Sequence, residues 1–146
     1  MADNPKYKRE NYYMTEGYIY TATVASLAAG AIANVSVNVN TDADFFILKG
    51  TYWANESTET APTVFELPSP GILVQIQDTA SGNQLFREPV PLASVFGTGS
   101  EPFIWPAPYG VAGGGTLEFT FENVSTADYQ NVYCNLVGMK AFRSSR

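Results

Sequence analysis

The side chains that carry most enzymatic proton transfer are scarce in this sequence. Its 146 residues include no histidine. That removes the usual general base, the Ser–His and Cys–His nucleophile pairs, and the commonest zinc and copper ligand. The single cysteine, Cys134, stands among apolar neighbours, where a thiol serves as a small hydrophobe. Glu118 and Glu122 share one face of a strand, but four residues of strand hold them about 13 Å apart, beyond glycosidase spacing. Oxygen-bearing side chains recur at every second position of Asn38-Val39-Asn40-Thr41-Asp42-Ala43-Asp44, a spacing that would suit Ca²⁺. The stretch has neither the glycine turn nor the distal bidentate glutamate of an EF-hand loop, so a polar strand end with a turn is expected there instead. Gly113-Gly114-Gly115 lacks the Lys-Ser/Thr that follows in a phosphate loop and reads as a flexible turn. No enzyme activity, metal or cofactor is therefore expected. What remains is binding. Trp53, Phe103, Trp105 and Tyr109 fall in or near expected loops, where rings either stack on sugars or cap the ends of the fold.

The elements that would position these groups read as strands. Phe, Tyr, Val and Ile are plentiful, and such side chains pack well on a pleated surface. A strand is expected at Tyr18–Ala25. Ile32–Asn40 alternates, with Ile32, Val35, Val37 and Val39 nearly sharing one face and Asn34, Ser36, Asn38 and Asn40 the other. Asp44–Trp53 contains the continuous run Phe45-Phe46-Ile47-Leu48, which suits a strand covered on both faces. Ala54–Ser69 reads as a polar loop, and Gly71–Asp78 places Ile72, Val74 and Ile76 on one side. Gly82 and Asn83 suit a hairpin loop leading into a paired strand at Gln84–Val90, while Pro89 and Pro91 mark an edge or a crossing. Gly97 to Gly115 reads as a long aromatic loop. Thr116–Val124 turns Leu117, Phe119 and Phe121 inward, and Asn131–Phe142 does the same with Val132, Cys134 and Leu136. About eight strands with long crossings predict an all-β domain: a single antiparallel β-sandwich of jelly-roll or Greek-key type over residues 18–146, preceded by an extended N-terminal arm, residues 1–17.

Charge is unevenly spread. Between residues 11 and 139, Lys49 and Arg87 face twelve carboxylates, a balance of −10. Six further basic residues sit at the ends: Lys6, Lys8, Arg9, Lys140, Arg143 and Arg146. An acidic body repels nucleic acid, so no nucleic-acid partner is expected. The apolar stretch 21–39 is too broken by Ser, Asn and Gly to span a membrane. The polar opening Met1–Glu10 does not read as a signal peptide, so the sequons at Asn34, Asn55 and Asn123 are expected to be fortuitous. Five of the nine tyrosines lie at or before residue 20. Tyrosine buries a large area while keeping a hydroxyl partner, which suits an arm laid on a neighbour. The expected partner surface therefore comprises Lys6, Tyr7, Lys8, Arg9, Tyr12 and Tyr13 of the arm with Phe103, Trp105 and Tyr109 of the aromatic loop.

Asn34-Val35-Ser36-Val37-Asn38-Val39 leads into Asp42-Ala43-Asp44-Phe45-Phe46-Ile47-Leu48-Lys49-Gly50. Ile72-Leu73-Val74-Gln75-Ile76-Gln77-Asp78, Ser81-Gly82, Pro89-Val90-Pro91-Leu92, Phe96-Gly97 and Gly138-Met139-Lys140 follow. In style and order, residues 18–142 resemble the jelly-roll cement or decoration proteins of tailed bacteriophages. The resemblance implies a structural protein on the capsid surface, made in the host cytoplasm. It also implies binding to the major capsid protein lattice. Independently, edge strands of a sandwich and the aromatic loop from Phe103 to Tyr109 need cover, so association with copies of itself as a dimer or trimer is expected. A tail or baseplate component of the same fold, and a carbohydrate-binding module, are the alternatives.

Overall fold

The computed structural model describes residues 12–56 and 70–143. Within them the expected all-β antiparallel sandwich is the observed fold. One sheet has the order β1 (Tyr12–Leu27), β9 (Tyr129–Arg143), β3 (Asp44–Glu56), β7 (Phe103–Val111). The other has the order β2 (Ile32–Asn38), β8 (Thr116–Asn123), β4 (Ile72–Asp78), and both β5 (Asn83–Gln84) and β6 (Val90–Pro91) pair with β4. If β5 and β6 count as one interrupted strand, eight positions remain. Their arrangement, 1-9-3-7 over 2-8-4-5/6, is the jelly roll.

The core follows from period-2 patterning. Leu117, Phe119 and Phe121 of β8 lie beside Ile72, Val74 and Ile76 of β4, and all six are fully buried. From the opposite sheet, Val132, Cys134 and Leu136 of β9 and Phe45 and Ile47 of β3 complete the layer. Burying each large apolar side chain contributes about 1.5–3 kcal/mol. Tyr20 meets Phe45 edge-on with ring centroids 4.7 Å apart, and its hydroxyl accepts the Asn40 N–H at 3.0 Å.

Several boundaries differ from the sequence reading, each for a physical reason. β1 begins at Tyr12, so residues 12–17, expected in the arm, pair in register with the end of β9 up to Tyr12↔Arg143. Residues 14–19 are exposed on both faces, so no alternation betrays the strand. Ile32 points outward and is exposed, while Ala33, Val35 and Val37 turn toward the core. β3 runs on to Glu56, into the expected loop, whose residues 57–69 lie outside the described residues. The strand expected at Gln84–Val90 is reduced to two short pairings. Leu92–Val95 forms one helical turn (α1) where no helix was expected. Most consequential, part of the expected aromatic loop is strand β7. Its register jumps from Ile47↔Tyr109 to Lys49↔Ile104, so Trp105-Pro106-Ala107-Pro108 bulges opposite Leu48. A bulge asks nothing of the proline nitrogens, which have no N–H to donate.

β9 is flanked by β1 and β3, and at Gly138 the packing leaves no room for a side chain. A Cβ there would sit 1.9 Å from the Phe46 carbonyl oxygen and 3.0 Å from the Phe45 ring. Gly138→Ala should therefore lower the unfolding free energy by about 3 kcal/mol, read as a fall in urea midpoint at unchanged slope.

Candidate functional site

The two outward faces of the sandwich differ in chemistry. On the five-stranded sheet the register sets Asn34 beside Thr120 and Gln75, Ser36 beside Glu118 and Gln77, and Asn38 beside Thr116. Thr120 Oγ1 donates to Asn34 Oδ1 at 2.9 Å, Thr116 Oγ1 to Asn38 Oδ1 at 2.9 Å, and Ser36 Oγ to Glu118. These three rows make a polar surface that suits water, and the row beyond them sets exposed Ile32 beside Glu122 and Leu73.

The outer face of the four-stranded sheet is built differently. Four cross-strand rows follow from its register. Gly17, Met139, Phe46 and Gly110 form one row, and Ile19, Val137, Lys49 and Ile104 the next. Thr21, Asn135 and Thr51 form a third, and Thr23, Tyr133 and Trp53 the fourth. In the third, Thr21 Oγ1 donates to Asn135 Oδ1 at 2.8 Å and Asn135 Nδ2 donates to Thr51 Oγ1 at 3.1 Å. The first two rows are apolar apart from Lys49, whose stem lies among them and whose charge is at its tip. Ile19 is 56% exposed and Ile104 64%. Directly opposed side chains lie about 5 Å apart, so these residues form a patch rather than scattered single exposures. Only part of this was signalled by the sequence. The run Phe45–Leu48 read as a strand covered on both faces, yet the patch on its outer side is open to solvent. Val137 and Met139 alternate with Leu136 and Gly138, so β9 is apolar at both parities, and that signal passed unused.

Of the residues expected at the partner surface, only those of β7 have described side chains. Lys6, Tyr7, Lys8 and Arg9 lie outside the described residues, and Tyr12 and Tyr13 are placed only as backbone of β1. Phe103, Trp105 and Tyr109 stand on β7. Trp105 lies between Phe103 and Phe86, with centroids 6.5 and 6.0 Å away. The Tyr109 hydroxyl donates to the buried carboxylate of Asp78 at 3.1 Å. These contacts join edge β7 of one sheet to the β4–β5 side of the other and close that flank of the sandwich. Trp53 stands apart from them on the outer face beside Tyr133.

The carboxylates weighed for calcium face cations of the chain itself. Lys140 Nζ lies 3.1 Å from Asp42 Oδ2 and 4.1 Å above the Tyr18 ring. Asp44, almost fully buried, accepts Arg143 Nε at 2.8 Å, Arg143 Nη2 at 3.1 Å and the Gly113 N–H at 2.8 Å. Among the described residues no three His, Cys, Asp or Glu groups converge as metal ligands would. Burial pushes the Cys134 thiol well up, which leaves it protonated and poorly nucleophilic. Burial pulls the Lys140 ammonium down, but the hydrogen bond to Asp42 and the charges of Tyr20, Asp42 and Tyr18 outweigh it and hold its pKa above the usual lysine value. Burial likewise raises Tyr109, reinforced by the Asp78 charge. No protein-family model matches the chain, and no curated protein matches it in sequence.

Two measurements follow. Lys140 contributes stability in its charged form, fully present below the unfolded lysine pKa of about 10.4 and lost as pH rises through its higher folded value. Tyr109 holds its proton more tightly when folded, so stability also falls above pH of about 10. Melting temperature should thus drop above pH of about 10, and less steeply in Tyr109→Phe and in Lys140→Met. Melts with and without EDTA should coincide, because Asp42 and Asp44 already have cationic partners; a large drop with EDTA would restore the calcium reading.

Proposed function

We propose that this is a non-enzymatic structural virion protein that attaches to a bacteriophage capsid shell and stabilises it. The observation that carries this reading is the contrast between the two outer faces. A jelly roll with a largely polar face and an apolar one has a side suited to water and a side suited to a partner. The apolar rows Gly17–Gly110 and Ile19–Ile104 would lie on the major capsid protein, and the Asn34–Thr120 face would look outward. The jelly roll also builds lectin domains, so the fold alone does not select this role. The basic residues Lys6, Lys8 and Arg9, with Tyr7, would add a second attachment to an acidic neighbour. Among the described residues no helix is long and apolar enough to cross a membrane, and the acidic body argues against nucleic acid as partner. A place in the tail or baseplate would use the same face. A carbohydrate-binding module is the second reading, favoured by exposed Trp53 beside half-buried Tyr133; the contacts of Trp105 with Phe86 and Phe103 count against a broader sugar platform.

Pull-down with particles of the encoding phage tests this, and a cryo-EM map of the same particles distinguishes head from tail. Ile104→Glu should weaken particle binding about tenfold while shifting the melting temperature little, since Ile104 is exposed on an edge strand. Removing residues 1–11, which spares β1, should also weaken attachment without unfolding the domain. Asn34→Lys on the polar face should bind normally. Full coating by Ile104→Glu would refute the assignment of the face, and retention on a glycan array in place of particle binding would favour the sugar reading.

A further inference from the structure

The four strand edges of this sandwich are not equally protected. An unpaired edge is a row of free N–H and C=O groups that invites another strand, and proteins blunt it with proline, bulges, charge or brevity. β7 carries a four-residue bulge with Pro106 and Pro108. β5 and β6 are two residues each, and Pro91 lies within β6 with Pro89 just before it. β2 is seven residues long and polar at every second position. β1 has none of these devices. It runs sixteen residues without proline, lysine or arginine, and its pairing with β9 is regular from Met14 onward. Among the described residues no strand pairs with its outer side. Met14, Tyr18 and Ile19 are exposed along it.

We propose that the outer edge of β1 pairs antiparallel with β1 of a second copy of this chain, about a two-fold axis perpendicular to the sheet. Charge selects the occupant. The chain carries a net charge of −6, so copies repel over most approaches, but β1 holds one charge, Glu16, in sixteen residues. Glu16 lies on the side opposite Thr15, Gly17, Ile19, Thr21 and Thr23, so the strip of β1 on the outer face is uncharged. Antiparallel pairing is its own complement: one edge supplies both sides of an isologous contact. Such an axis also keeps both outer faces pointing the same way. The two four-stranded sheets become one of eight, and the apolar rows of the two copies adjoin. The pairing is a property of the isolated protein and does not rest on the shell reading.

Sedimentation equilibrium of the purified protein should show a concentration-dependent dimer. Adjacent residues of an edge strand direct their N–H groups alternately inward and outward, so one of Thr15→Pro and Glu16→Pro removes an outward donor and the other a bond to β9. The outward variant should keep the wild-type fold and raise the dimer Kd by about a hundredfold. Should both variants unfold, amide exchange of the wild type decides the matter: outward β1 amides should gain protection as concentration rises. A monomer at every concentration, a dimer that survives in both folded proline variants, or β1 amides whose protection ignores concentration would each overturn the pairing. A fall in particle binding by Ile104→Glu with no change in dimer Kd would show that the two surfaces act separately.

Discussion

The structure depends on the backbone ladder of β9. This strand runs from Tyr129 to Arg143 and is hydrogen-bonded along both sides, to β1 and to β3. It aligns the rows of the outer face, buries Val132, Cys134 and Leu136 on the other, and carries the two cations that hold Asp42 and Asp44. Gly138 lies where the Phe46 carbonyl presses closest, next to the Leu48 bulge. Because β9 follows all the other described strands, the first sheet closes only when every one of them is present, and such non-local pairing is slow to form.

Side chains on the two flanks of the sandwich do different work. On the β7 flank, Tyr109 reaches the buried Asp78, and Trp105 packs with Phe86 and Phe103. On the β1 flank, Tyr20 ties to Asn40, and Lys140 lies over Tyr18 beside Asp42. The first set closes an edge that prolines already guard. The second stiffens an edge that no described strand covers. Rigidity without protection suits a surface built to meet another molecule, because little order remains to be imposed on contact.

The fold was largely legible because β4 and β8 alternate, and the residues expected inward on β4, β8 and β9 are the buried ones. Three features escaped. Residues 14–17 are exposed whichever face they turn to, so their pairing with β9 leaves no alternation in the sequence. β7 was hidden by Pro106 and Pro108, which look like loop residues until a bulge accommodates them. The apolar outer face was half visible: Phe45–Leu48 announced a strand wanting cover on both faces, but strand order is needed to see that Ile19, Val137 and Ile104 fall in one row. Cross-strand neighbours far apart in sequence leave no local periodicity.

The pairing Tyr12↔Arg143 has a topological consequence. Cα atoms of opposed residues lie about 4.5–5.5 Å apart, so the two ends of the described chain leave the domain at one corner. A short linker could join them, with new ends opened in the hairpin loop at Ser81-Gly82-Asn83, where Gly82 already takes φ 75° and the residues are exposed. In that circular permutant β9 and β1 become a simple hairpin, and the longest loop closure in the fold becomes the shortest.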